Sequence, residues 1–227
     1  MKHFFLKTTL ILTSVLVLNG CSSAQSADLS EQTQRPMSQS TPASDNMAAN
    51  SAVNVMPPKM DTAIFAGGCF WCVESDFEKL DGVYEVTSGY TGGGTPNPSY
   101  RNHGQHIESA KVVFDGNKIS YEELLEYYWV HVDPTDAYGQ FCDKGRSYET
   151  AIFARPDQIE TAENSKAALM KSKPFTEPIV TPILNTETFW DAEDYHQDYY
   201  KKNPVRYKLY RTGCGRDAKL RELWGKK

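Results

Sequence analysis

The stretch Thr62-Ala63-Ile64-Phe65-Ala66-Gly67-Gly68-Cys69-Phe70-Trp71-Cys72-Val73-Glu74-Ser75-Asp76-Phe77-Glu78-Lys79-Leu80 changes its hydrophobic period part-way along. Residues 62–66 form a short continuous apolar run, which reads as a buried strand. Beyond the Gly67-Gly68 pair, Phe70, Val73, Phe77 and Leu80 recur at spacings of three and four, which predicts a helix beginning at Cys69. Asp81-Gly82 ends that helix, and residues 83–89 read as a second strand. A Gly/Pro/Asn/Ser-rich loop over 91–105 leads to a third strand at 107–114. Asp115-Gly116 then turns the chain, and Ser120 with Glu123 makes a capping box for a helix over 121–131, which Asp133-Pro134 stops. Residues 148–154 read as a fourth strand, Pro156 opens a helix to about residue 171, and 179–183 reads as a fifth strand. A last helix is expected over 191–202, ended by Pro204 and followed by a coil-rich C-terminal segment. Strand, helix, strand, strand, helix, strand is the order of a split βαβ unit, so the expected class is α+β, a ferredoxin-like core with appended helices.

This domain is expected over residues 59–227. Upstream the pattern is different. Residues 1–7 carry two lysines and no acid, and 8–18 is an uncharged, largely apolar run whose polar residues are Thr8, Thr9, Thr13 and Ser14, which is signal-peptide anatomy and too short to span a membrane as a mature helix. The run ends Leu18-Asn19-Gly20-Cys21, which resembles the cleavage box of bacterial lipoproteins. That resemblance implies a signal over 1–20, lipidation of Cys21 and, with Ser22 next, an outer-membrane destination facing the periplasm. From Ser22 to Pro58 the chain is rich in Ser, Gln, Ala, Asn and Pro and has no aromatic residue, so it cannot bury enough apolar surface to offset its ordering entropy. Such a tether has a root-mean-square reach on the order of 35 Å.

With 40% hydrophobic and 23% charged residues, the chain is neither wholly disordered nor a multi-span membrane protein. Its net charge of −5 and the absence of any long Lys/Arg run argue against a nucleic-acid partner. Five cysteines are too few for a disulfide scaffold, so each needs its own account.

Cys69 stands at a predicted helix start, where unpaired N–H groups and the helix dipole favour the thiolate; the expectation is a lowered pKa and a nucleophile. Cys72 completes a CxxC, which on its own reads as a redox pair, two unrelated thiols or half of a zinc site, the last disfavoured because no second close pair of ligands completes it. A thioredoxin-like disulfide oxidoreductase is the alternative that the pair invites, and a tethered binding protein with inert cysteines is another.

Further along the chain stand Ser88-Gly89-Tyr90-Thr91-Gly92-Gly93, His106-Ile107-Glu108, Asp143-Lys144-Gly145-Arg146-Ser147-Tyr148 and Glu193-Asp194-Tyr195-His196-Gln197. With Gly67-Gly68-Cys69-Phe70-Trp71, these ordered motifs resemble the A-type peptide methionine sulfoxide reductases across essentially the whole domain. The resemblance implies reduction of methionine S-sulfoxide to methionine, with no prosthetic cofactor, no metal and an external dithiol such as thioredoxin as reductant. It implies Cys69 as nucleophile, Phe70 and Trp71 as the pocket for the substrate methyl group, and Glu108 as the acid that protonates the sulfoxide oxygen. Tyr90 and Tyr148 are implied as companions of Glu108, and Asp143, His196 and Tyr199 as further pocket residues. Loss of methionine leaves a sulfenic acid on Cys69, which a second thiol must resolve. The position after Asn203-Pro204 that often holds this thiol in the family is Lys208 here. Cys214, between two glycines, and Cys72, one turn from Cys69, are the leading candidates, with Cys142 a third. Oxidised envelope proteins are the expected substrates, and a monomer is the expected state.

Overall fold

The computed structural model describes residues 57–225. The expected signal, Cys21 and almost all of the tether lie outside the described residues.

Strand β1 (Met60–Gly67) runs antiparallel to both β3 (Ile107–Asp115) and β6 (Thr150–Ala154), and β2 (Val83–Thr91) runs antiparallel to β3. The central order β6-β1-β3-β2, with helix α1 (Phe70–Phe77) between β1 and β2 and α2 (Tyr121–Trp129) between β3 and β6, is the expected α+β split βαβ arrangement. Alternation along β1 explains its layers. Ala63 and Phe65 face the helices, whereas Ile64 and Ala66 join Ile107, Ala151 and Phe153 on the opposite face. Phe65 is fully buried; its ring stacks 4.9 Å from Phe77 of α1 and 5.1 Å from Tyr128 of α2, so one side chain ties both helices to the sheet. The Ser120–Glu123 capping box starts α2 as expected, with Ser120 Oγ accepting from the Glu123 amide at 3.2 Å.

The short strands β4 (Gly139–Gln140) and β5 (Asp143–Lys144) pair with each other, and a 3₁₀ turn over Arg146–Tyr148 follows, so the fourth main strand starts at Thr150 rather than Tyr148. Helix α3 spans Ile159–Ser172. The fifth strand, expected at 179–183, is β7 (Ile183–Asn185), parallel to β6 at the sheet edge.

The C-terminal third departs most from expectation. The segment expected as a helix over 191–202 begins as β8 (Trp190–Asp191), paired to Gly89 and Tyr90 at the other sheet edge, and only Tyr199–Lys202 is helical, as α4. Pro204 starts a helix. It occupies the first turn of α5 (Pro204–Gly213), where its missing N–H would have no intrahelical partner anyway. A sixth helix, α6 (Arg216–Trp224), replaces the expected coil. Its weak amphipathicity hid it, because a buried charge anchors it. Arg216 donates to the carbonyls of Gly67 at 2.9 Å and His131 at 2.7 Å, gripping the end of β1 just before Cys69.

Candidate active site

The backbone that presents Cys69 permits little variation. Gly68 has φ +80°, and a Cβ there would lie 2.6 Å from Gln140 Cβ, so only glycine can carry the chain from β1 into α1. Cys69 caps α1, but the helix's first N–H does not serve its sulfur. The Phe70 amide donates instead to Glu108 Oε2 at 3.1 Å. Cys69 is only 6% exposed, and burial is the largest of the effects that hold its pKa well above that of a free thiol; the neighbouring Cys72 and Glu108 push the same way, and a hydrogen bond from Tyr210 opposes them. This corrects the expectation of a lowered pKa at Cys69: desolvation outweighs the helix terminus. The lowered thiol is Cys72. A hydrogen bond from Cys69 and the charges of Arg216 and Arg211 bring it to about 7 despite its burial. Those cations are held beneath it by buried Asp76, which lies 2.9 Å from Arg211 and 3.9 Å from Arg216.

Glu108 lies on β3, on the sheet face that carries the helices, and is 1% exposed. Burial raises its pKa to about 8, with the charges of Asp143 and Cys72 adding to the shift and the Phe70 N–H opposing it. Near neutral pH it is therefore a proton donor.

Cys69, Phe70, Trp71, Glu108, Asp143 and Tyr148 line one cavity of about 50 Å³, together with Tyr100 and Tyr210. Three of the expected residues lie elsewhere. Tyr90 is the cross-strand neighbour of Glu108, but its side chain is buried and donates to Glu193 Oε2 at 3.2 Å rather than entering the cavity. Tyr100 takes the cavity position. Its amide donates to the other oxygen of the same Glu193, and its hydroxyl is hydrogen-bonded with Tyr148. His196 and Tyr199 form a backing layer. The Trp71 indole N–H donates to His196 Nδ1 at 3.1 Å, and its ring stacks on Tyr199 at 3.8 Å, which fixes Trp71 from behind. Burial lowers the His196 pKa, consistent with a neutral acceptor for the indole.

Cys214 is bonded to Cys142 as a disulfide, while Cys69 and Cys72 are free and buried. Cys214, a leading candidate for the resolving thiol, is thus paired with Cys142, the third candidate. Two groupings among the described residues bring possible metal-ligand atoms within 4.8 Å of one another, Cys142 with Asp143 and Cys214, and Glu74 with Glu78 and Asp198; in the first the two sulfurs are already spent on each other. A larger groove of about 570 Å³ between α2 and α3 contains Trp129, Leu169 and two glutamates but no cysteine.

A buried thiol and a buried, protonated carboxyl thus share one small aromatic cavity, a combination that can reduce an oxidised sulfur. A family model for peptide methionine sulfoxide reductase matches residues 61–227. The chain belongs to the peptide methionine sulfoxide reductase family. It is 49% identical over 177 residues to the peptide methionine sulfoxide reductase MsrA of Bacillus licheniformis, covering 76% of this chain and 98% of that protein. It matches the Bacillus subtilis MsrA at the same identity, over 76% and 100% of the two chains. Among solved structures, methionine sulfoxide reductase A of Corynebacterium diphtheriae superposes with a TM-score of 0.58 at 32% identity, covering 66% of this chain and 77% of that one. Reduced Mxr1 of Saccharomyces cerevisiae gives 0.59 at 28% identity, over 64% and 86%. The protein is an oxidoreductase that reduces methionine S-sulfoxide by thiol chemistry. Family membership sets aside the thioredoxin-like and inert-binding alternatives.

Proposed function

We propose that Cys69 is the nucleophile, Glu108 the acid and Cys72 the resolving thiol of this reductase. The observation that carries the assignment is the single cavity shared by Cys69 and Glu108, with the Glu108 pKa raised to about 8. Sulfoxide oxygen leaves poorly until protonated, so a nucleophile without a positioned acid is insufficient. The two thiols share their protons, and transfer from Cys69 to Cys72 leaves the thiolate on the residue that lines the cavity. The Cys69 thiolate bonds to the substrate sulfur as Glu108 protonates the sulfoxide oxygen; the resulting hydroxyl then passes from the substrate sulfur to Cys69 as the sulfur–sulfur bond breaks, so methionine leaves with that electron pair and Cys69 is left as sulfenic acid. Phe70 and Trp71 wall the side where the substrate methyl group sits, and Tyr100 and Tyr148 offer hydroxyls to the oxygen.

Cys72 then displaces water from the sulfenic acid to form a Cys69–Cys72 disulfide. Its lowered pKa and its place one turn away support this route, whereas Cys214 is occupied by Cys142. An external dithiol of the thioredoxin type reopens the disulfide, becoming a disulfide itself. Stoichiometric reaction with a sulfoxide peptide, followed by disulfide mapping by mass spectrometry, tests the route. A Cys69–Cys72 bond is expected; a Cys69–Cys214 bond overturns the role of Cys72.

The place of action we propose is the cell envelope, with the chain tethered through lipidated Cys21 and serving oxidised exported proteins. The basic start, apolar run and Leu18-Asn19-Gly20-Cys21 box support that reading. Membrane fractionation of Cys21→Ser tests it: release into the soluble fraction is expected, and unchanged sedimentation with membranes refutes lipid anchoring at that residue.

A further inference from the structure

Tyr210 lines the cavity and has no part in the reaction set out above. It sits on α5, and the Cys214 amide N–H donates to its backbone carbonyl at 2.8 Å. Its ring packs with Cys69 and Cys72 and meets Trp71 edge-on at 5.9 Å. Its hydroxyl donates to the Asp143 carboxylate. Asp143 directly follows Cys142, and Cys214 Sγ lies 3.8 Å from Asp143 Oδ2. The Cys142–Cys214 disulfide, with Cα atoms 4.9 Å apart, therefore staples together the two segments that carry Tyr210 and its carboxylate partner. Cys142 is exposed and Cys214 half-buried, so this bond presents a sulfur at the surface.

The geometry points to Tyr210 as a hydrogen-bond donor to the Cys69 thiolate whose position is set by the Cys142–Cys214 disulfide, so that an exposed redox pair tunes a buried nucleophile. This rests on the assignment of Cys69 as that nucleophile.

A phenol has one proton to donate and two lone pairs. At rest the proton is held by Asp143, and the ring packs beside the Cys69 thiol in the same cavity. Once Cys69 ionises, the O–H has a second anion to serve, and hydrogen bonds to charged groups are about twice as strong as neutral ones. Hydrogen bonding from Tyr210 opposes the upward pressure on the Cys69 pKa from burial, from Cys72 on α1 and from Glu108 on β3. The other titratable groups around this thiol are Asp143 on β5 and the phenols Tyr100, Tyr148 and Tyr207; Arg216, Arg211 and Asp76 act on Cys72 behind it. Breaking the staple releases the end of α5 from β5, and the phenol loses its fixed place.

The test is the pH dependence of Cys69 alkylation by iodoacetamide, resolved by peptide mass mapping on the full-length protein with its disulfide intact. Tyr210→Phe keeps the ring against Trp71 and deletes only the hydroxyl. Its Cys69 midpoint should rise, and alkylation at pH 7 should slow roughly tenfold, the size expected of one hydrogen bond to a charged group. Cys142→Ser, or brief reduction of the wild-type disulfide by dithiothreitol with formation of the cyclic dithiothreitol disulfide, should move the midpoint the same way. It should add nothing once Tyr210 is Phe. An unmoved midpoint in Tyr210→Phe overturns the hydrogen bond, and an unmoved or fully additive effect of Cys142→Ser overturns the coupling. Cys214→Ser serves as a second staple variant should Cys142→Ser misfold, as judged by thermal melting. Alkylation reports the thiol whether or not it reduces sulfoxide, so failure here is distinguishable from failure of Cys69 as nucleophile.

Discussion

Glu108→Gln preserves the size of the side chain and a carbonyl oxygen to accept the Phe70 N–H, but it removes the transferable proton. With its pKa at about 8, about nine in ten Glu108 side chains are protonated at pH 7, against about three in a thousand for an unshifted carboxyl. Burial therefore enriches the acid by roughly 300-fold, within the range of about 10²–10⁴ that a positioned general acid contributes. Single-turnover methionine release, without external reductant, should fall by about that range in Glu108→Gln, with a much smaller change in substrate affinity. The wild-type rate should also decline above about pH 8 as Glu108 ionises, and the variant should lack that decline. Stability gives an independent reading. The folded-state pKa lies above the unfolded value of 4.5, so between those values the native state holds the extra proton and stability falls as pH rises through the window. Glutamine does not titrate, so the variant should gain melting temperature relative to wild type from pH 5 to pH 9. A release rate within threefold of wild type, or an alkaline decline that persists unmoved in the variant, refutes Glu108 as the acid.

Cys72→Ser should release one methionine per enzyme, more slowly than wild type, and then stop with sulfenic acid on Cys69, seen by trapping with a 1,3-diketone; sustained turnover with a thioredoxin-type donor contradicts this. Phe65→Ala opens a cavity between α1, α2 and the sheet and should cost about 3–5 kcal/mol in denaturant unfolding; a loss below about 1 kcal/mol would show that Phe65 is not the tie between those layers. Gly68→Ala forces a side chain onto a left-handed backbone and against Gln140 Cβ, so it should lower stability by at least about 1 kcal/mol and slow Cys69 chemistry together. Unfolding and single-turnover curves check both.

The period change across Gly67-Gly68 and the Ser120–Glu123 box made the sheet and its first two helices legible, because their signals are local. Pro204 was ambiguous: the same missing N–H that ends one helix suits the first turn of the next. Helix α6 could not be read from hydrophobic period because Arg216, a charge satisfied by two carbonyls from distant segments, is what docks it. The site divided in the same way. Cys69, Glu108 and Asp143 stood in motifs, whereas Tyr100 lies in an aperiodic loop and reaches the cavity through Glu193, which steers Tyr90 away from it. Spacing cannot reveal a bond between cysteines 72 residues apart, and it gave no sign of Tyr210 beside that bond. The thiol pKa values inverted the helix-start argument because the site is nearly closed to water and the first amide is committed to Glu108.

An epimer-resolved assay tests whether Cys69 reduces the S-sulfoxide. The protein is incubated with racemic N-acetylated methionine sulfoxide and dithiothreitol, and both sulfur epimers are followed by chiral chromatography. Loss of the S epimer alone is expected in wild type, and of neither epimer in Cys69→Ser. Consumption of the R epimer, or S-epimer reduction that survives Cys69→Ser, would contradict this.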